Sequence, residues 1–313
     1  MASVDGRRAE VDSRVRIGLA TGYFENFWGT DWFTAKQIGG SERIVLELAK
    51  ALASDHSVTV RLPYETEPVR RHNATWVGRS HPPLPELDLL FCFDLFGERD
   101  SAVRTALVAC RSDPPPHKNF DVRIYLSVHH ARAMGDEGAP AVGGGVTLAD
   151  YERGQKRRPG LVVCMSSPDR CMPAFDILAQ FPDTVFTYRS VPGLPPTKEL
   201  TRPELVLLQR QARVGIYPLQ PRRPSDFFSM STLELLAAGT PVIISDQDAL
   251  PELWGDVCPV LPAPARLAQW VGEVEDLIVN KARWNRLSIL GKKKAADYDW
   301  GKVAARYIKV ATE

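Results

Sequence analysis

The chain has 313 residues, 44% of them hydrophobic and 25% charged, and this profile excludes collagen-like, coiled-coil and wholly disordered chains. Its 39 Lys and Arg against 38 Asp and Glu give a net charge of +1, so nothing global points to nucleic acid as a partner and nothing bears on oligomeric state. At roughly 100–200 residues per domain, the length predicts about two domains.

Val15–Thr21 is a short apolar run that ends at Gly22, as expected of a strand buried on both faces of a parallel sheet. An aromatic loop follows, with Tyr23, Phe24, Phe27, Trp28, Trp32 and Phe33, and closes on Gly39-Gly40-Ser41. Ile44, Leu48 and Leu52 recur at helical spacing over Glu42–Ala53, with Ser41 as the expected N-cap. Ser57–Leu62 then alternates as a strand, completing a βαβ unit. Leu87–Phe93 and Val122–Val128 are two more predicted strands, with a helix expected between them over Arg99–Ala109. After His129-His130 the pattern lapses. Residues 131–160, with Gly143-Gly144-Gly145 and Lys156-Arg157-Arg158, are the candidate interdomain linker.

A second alternation follows. Strands are expected at Leu161–Met165, Thr184–Tyr188, Val214–Pro218 and Pro241–Ser245, and helices at Asp169–Phe181, Lys198–Ala212 and Ser231–Ala238. Repeated βα units predict a second parallel sheet covered on both faces. Three helices close the chain, over Ala265–Val279, Trp284–Ala295 and Trp300–Val310.

The five cysteines form no C-x-x-C pair, and Cys92 and Cys164 sit in apolar runs. They read as small hydrophobes, and a reducing, cytoplasmic setting is expected. Met1 to Arg14 lacks the apolar core of a signal peptide. From Lys281 to Glu313 there are nine Lys or Arg against three acids. That surface is either a solvated face or a weak peripheral contact with anionic lipid at the inner face of the membrane. Histidines 56, 72, 81 and 117 show no metal-ligand spacing, and no metal or other cofactor is expected.

Ligands of open parallel sheets bind beyond the carboxyl ends of the strands. Two loops stand there. Gly39 and Gly40 precede a helix whose free amides and positive dipole end suit a phosphate, though a tight turn needs the same residues. Asp226 and Glu234 bracket the start of the second-half helix. A carboxylate there can accept from the vicinal hydroxyls of a ribose. From the residues alone, Asp226 as a helix cap and Glu234 as a surface charge is the favoured reading.

At these residues the chain resembles the retaining glycosyltransferases of family 4, which have the GT-B fold. Gly39, Gly40, Glu42, Leu48, Ala49 and Leu52 are similar to that family's N-terminal helix signature, and Asp226 to Ile243 to its E-x7-E segment ending A-x-G-x-P-V-I. Ser166-Ser167-Pro168-Asp169-Arg170 resembles a stretch found in one branch, and Trp300 the final helix that folds back on the first domain. Asp226 stands where the family has Glu, Phe227 and Ser229 where it has Gly, and few basic residues surround Arg170.

The resemblance implies two Rossmann-like domains facing each other across a cleft. Residues 1–150 would form the acceptor side and residues 151–313 the donor side. It implies transfer of a sugar from a nucleotide-diphospho-sugar to a hydroxyl acceptor, with retention and without metal. Gly39, Gly40 and Arg170 would hold the diphosphate, Glu234 the ribose, and Asp226, His129 and the Phe227–Phe228–Ser229 backbone the donor sugar. Trp28 and Trp32 are expected to stack on the acceptor, or else to plug the core. A catalytically degenerate GT-B protein that binds a sugar nucleotide or a protein partner, and a GT-B sugar-nucleotide epimerase, remain the alternatives.

Overall fold

A computed structural model describes residues 14–21, 38–84, 86–93, 102–110, 120–154, 156–188, 197–221 and 226–313. The aromatic segment with Trp28 and Trp32 lies outside the described residues.

The first half builds β1 (Arg16–Thr21), α1 (Gly40–Leu52), β2 (Ser57–Arg61), β3 (Val69–Arg71), β4 (Ala74–Val77), β5 (Leu87–Phe93), β6 (Ala102–Val108), β7 (Val122–Ile124) and the short α2 (Val128–Ala133). Its sheet runs β3-β4-β2-β1-β5-β6-β7, parallel throughout except for the β3–β4 pair. The apolar runs are explained by position: Ile17, Leu19, Phe91 and Phe93 lie on central strands and are fully enclosed. α1 turns Ile44, Val45, Leu48, Ala49 and Leu52 inward.

The second half builds β8 (Val162–Cys164), α3 (Pro173–Leu178), β9 (Thr184–Phe186), α4 (Arg202–Gln211), β10 (Val214–Tyr217), α5 (Met230–Ala237), β11 (Val242–Ser245), α6 (Leu250–Trp254), β12 (Val260–Leu261), α7 (Leu267–Val279), α8 (Lys281–Ala295) and α9 (Trp300–Thr312). Its five strands are all parallel, in the order β12-β11-β10-β8-β9. α9 leaves this half and packs on α1, β6 and β7 of the first. The Tyr307 hydroxyl donates to the Gly143 carbonyl at 2.9 Å, and its ring meets Phe91 edge-on at 5.8 Å. Among the described residues, no helix is long and apolar enough to cross a membrane. Several cations of the basic end are paired with acids: Arg283 with Glu273 and Asp276, Lys294 with Asp256, and Lys302 with Asp297.

Four expectations are corrected. The segment expected to be helical over Arg99–Ala109 contains strand β6, whose Ala106, Leu107 and Val108 are buried between β5 and β7. Neighbouring strands supply its backbone with partners, and tertiary pairing overrides the helical spacing of its alanines. The strand over Val122–Val128 ends at Ile124, because the Ser127 hydroxyl caps α2 by accepting from the His130 amide at 3.0 Å. His129 therefore stands in the first turn of a helix. The N-cap of α1 is Gly39, not Ser41.

Residues 131–160 are not an open linker. Residues 142–146 are buried, and the glycines face large side chains. A Cβ on Gly143 would stand 2.5 Å from the Phe228 ring, one on Gly144 2.5 Å from Met230 Sδ, and one on Gly145 2.6 Å from the Trp300 ring. The glycine run is thus a flat strip on which both halves of the molecule close. Arg157 is also drawn inward, donating to the Ala212 carbonyl at 2.8 Å and lying over the Trp284 ring.

Candidate active site

The carboxyl ends of both sheets border one cavity of about 240 Å³. From the first half come Gly39, Gly40, Ser41 and Arg43. The second half contributes Arg170 after β8, Arg202 and Gln209 of α4, Tyr217 at the end of β10, and Asp226 to Ser231 with Glu234 around the start of α5. Gly39, Gly40, Arg170, Asp226, Phe227, Phe228, Ser229 and Glu234 are thereby brought together. His129 stands beside the wall, its ring 6.3 Å from that of Phe227.

Two helix N-termini open on this cavity, α1 at Gly40 and α5 at Met230. The first amides of a helix have no partner within it, and the dipole end is positive. The Ser229 hydroxyl caps α5 by accepting from the Thr232 amide at 3.2 Å. Gly40 is exposed, and a Cβ there would meet only Met230 Cγ at 3.6 Å.

Glu234 is 4% exposed and lies at the centre of a polar chain. Arg202 Nη1 donates to its Oε1 at 2.6 Å and Gln209 Nε2 to its Oε2 at 2.7 Å. The Tyr151 hydroxyl donates to Gln209 Oε1 at 2.6 Å, which fixes the amide's orientation, and Arg202 also reaches Asp150 at 3.0 Å. Burial pulls the Glu234 pKa up, but the charges of Arg202 and Arg43 outweigh it and hold the carboxyl below its usual range. Each oxygen accepts one bond from these partners, which leaves acceptor capacity for a ligand.

Asp226 is tied more tightly to its own loop. Its Oδ1 accepts the Phe228 amide at 3.1 Å, its Oδ2 accepts the Tyr217 hydroxyl, and Arg170 Nη1 stands 3.6 Å from Oδ2. The Asp226 amide in turn donates to Asp248 at 2.8 Å. Burial lowers the Arg170 pKa, but the Asp226 charge and neighbouring groups raise it beyond the ordinary arginine value. The Asp226 carboxylate, 4% exposed, therefore shapes the 226–229 loop and orients Arg170.

Phe227, which replaces a glycine of the resembled motif, lays its ring on His130 with centroids 3.8 Å apart and planes 4° from parallel. Its bulk faces the other half of the molecule, so a side chain is accommodated at this position.

Three residues escaped the sequence reading. Arg43 lies one turn into α1, Arg202 opens α4 and Gln209 stands in its last turn. Together with Arg170 they line the cavity with three guanidinium groups. Arg170 and Arg202 each face a carboxylate, whereas Arg43 makes no ion pair among the described residues. Burial lowers the Arg43 pKa, with Glu234 acting against it. Its place three residues after Gly40 was the available signal.

No family model matches the chain, and no curated protein matches its sequence. Solved structures do match its fold. AviGT4, a glycosyltransferase involved in avilamycin A biosynthesis, superposes with a TM-score of 0.71 at 15% identity, over 95% of this chain and 97% of its own. Sucrose-phosphate synthase from Thermosynechococcus elongatus gives 0.68 at 12% identity, over 95% and 98%. Anabaena HepE, in complex with UDP and glucose, gives 0.65 at 12% identity, over 96% and 100%. The fold is that of the GT-B glycosyltransferases: two parallel sheets of Rossmann type with a cleft at their carboxyl ends.

Proposed function

We propose that this chain is a retaining glycosyltransferase that moves a sugar from a nucleotide-diphospho-sugar to a hydroxyl of a glycan, lipid-linked or small-molecule acceptor. The observation that carries this reading is the convergence of Arg43, Arg170, the α1 and α5 N-termini and the buried Glu234 on one cavity. That set matches a ligand with two phosphates at one end of a ribose. Anabaena HepE, a structural neighbour, was crystallised in complex with UDP-glucose.

Charge builds up on the departing diphosphate as the sugar leaves. Preorganised amides and guanidinium groups stabilise such charge without reorganising, and Arg43, Arg170 and the Gly40 amide take this role here. No metal is required by this arrangement. Glu234 accepts the ribose hydroxyls with the lone pairs that Arg202 and Gln209 leave open. Asp226 holds Arg170 and the 226–229 loop in place, and the donor sugar lies between that loop and His129. The leaving phosphate takes the acceptor proton, so no side chain is assigned as general base.

Incubation with a panel of UDP-, GDP- and dTDP-sugars plus hydroxyl acceptors tests this reading. Release of nucleoside diphosphate with a product of retained anomeric configuration, read by NMR, supports it. Binding without release favours a degenerate sugar-nucleotide binder, the reading to which Phe227 and Ser229 in place of the two glycines lend weight. Absence of any nucleotide-sugar binding refutes both.

A further inference from the structure

Glu252 lies on α6 in the second half, is exposed, and takes no part in the cavity wall. Its carboxylate nevertheless reaches across to the first half. Oε1 accepts the Val128 amide at 2.8 Å and Oε2 accepts the His129 amide at 2.6 Å. These two amides open α2 and have no carbonyl partner within that helix. A carboxylate that accepts two N–H groups makes charge-assisted bonds. Water is the natural replacement partner for all four atoms if the halves separate.

Two further contacts fix the same spot. The His130 ring stacks on Phe227, and Ser127 caps the helix from within the first half. Three consecutive residues, 128 to 130, are therefore held by two separate segments of the other half. His129 sits in the middle, its ring near that of Phe227 and its backbone bonded to Glu252. Phe227 lines the cavity.

We infer that Glu252 is an interlobe clasp and a positioning residue: by accepting the Val128 and His129 amides it holds the two halves closed and sets where His129 stands against the donor-sugar end of the cavity. The positioning part rests on the functional reading above; the clasp part rests on geometry alone. The clasp is reversible, because the bonds exchange directly with water. Nucleotide binding is expected to tolerate its loss, because a diphosphate gripped by Arg170 from one half and by Arg43 and the Gly40 amide from the other itself draws the halves together.

The test uses full-length Glu252→Ala and Glu252→Gln proteins. Hydrogen exchange of the ligand-free proteins, resolved at residues 128 and 129, is expected to be at least tenfold faster in Glu252→Ala. Glu252→Gln, which keeps one acceptor oxygen, falls between. With an active nucleotide-sugar, kcat is expected to fall at least tenfold in Glu252→Ala while the donor KM stays within about threefold. Exchange at the parental rate in Glu252→Ala overturns the clasp. Faster exchange with unchanged kcat overturns the positioning role. Faster exchange in a protein that binds no nucleotide-sugar leaves the clasp standing and removes the functional reading, so the two failures are told apart.

Discussion

Gly143→Ala probes the packing that joins the two halves. Gly143 has φ +77°, and its added Cβ would stand 2.5 Å from the Phe228 ring and 3.1 Å from the Leu126 carbonyl. A left-handed conformation costs a non-glycine residue roughly 1–2 kcal/mol, and overpacking a filled site about 1–3 kcal/mol more. Gly135 is the matched control, with φ +72° and nothing within 4 Å of its Cβ. The two substitutions therefore share the backbone cost and differ only in the clash. Urea unfolding followed by tryptophan fluorescence should find Gly143→Ala less stable than Gly135→Ala by about 1–3 kcal/mol. Phe228→Leu in the same chain should recover part of the difference, as expected of residues in contact. Equal losses at 143 and 135 would refute the claim that the glycine strip exists to seat Phe228.

Other expectations follow from the same contacts. Glu234 has its folded-state pKa depressed by Arg202 and Arg43, so its contribution to stability is full above the unfolded value of about 4.3 and is lost as pH falls through the lower folded value. The stability gap between the parent and Glu234→Gln should accordingly be constant near neutral pH and narrow below about pH 4, as read by urea midpoints across pH. Trp300 is 6% exposed and lies against Gly145; Trp300→Ala should cost about 3–5 kcal/mol and speed proteolysis of the final helix.

Much of the fold is legible in the sequence because the central strands of parallel sheets are enclosed on both faces. Such strands read as unbroken apolar runs, as at Leu87–Phe93 and Val214–Tyr217. β6 is not legible in this way: its outer end is exposed at Val103, and its alanines fit a helix equally well. Helix starts are displaced by prolines, with α3 beginning at Pro173 and α4 just before Pro203. The glycine loop and the Asp226–Glu234 segment are visible as motifs because each is local. Arg202 and Gln209 are not, because they meet Glu234 only through the packing of α4 on α5. The Gly143–Gly145 run illustrates the same limit. It reads as a linker in one dimension, and only the facing rings of Phe228 and Trp300 reveal a packing surface.

The central claim is that the cavity grips a diphosphate from both sides. Isothermal titration of UDP, GDP and dTDP, with the matching monophosphates as controls, measures this directly on the parent chain and on Arg43→Ala. At least one diphosphate is predicted to bind, to bind more tightly than its monophosphate, and to lose tenfold or more in affinity, about 1.4 kcal/mol, when Arg43 is removed. Equal affinity for mono- and diphosphate, or a diphosphate affinity indifferent to Arg43, would contradict it.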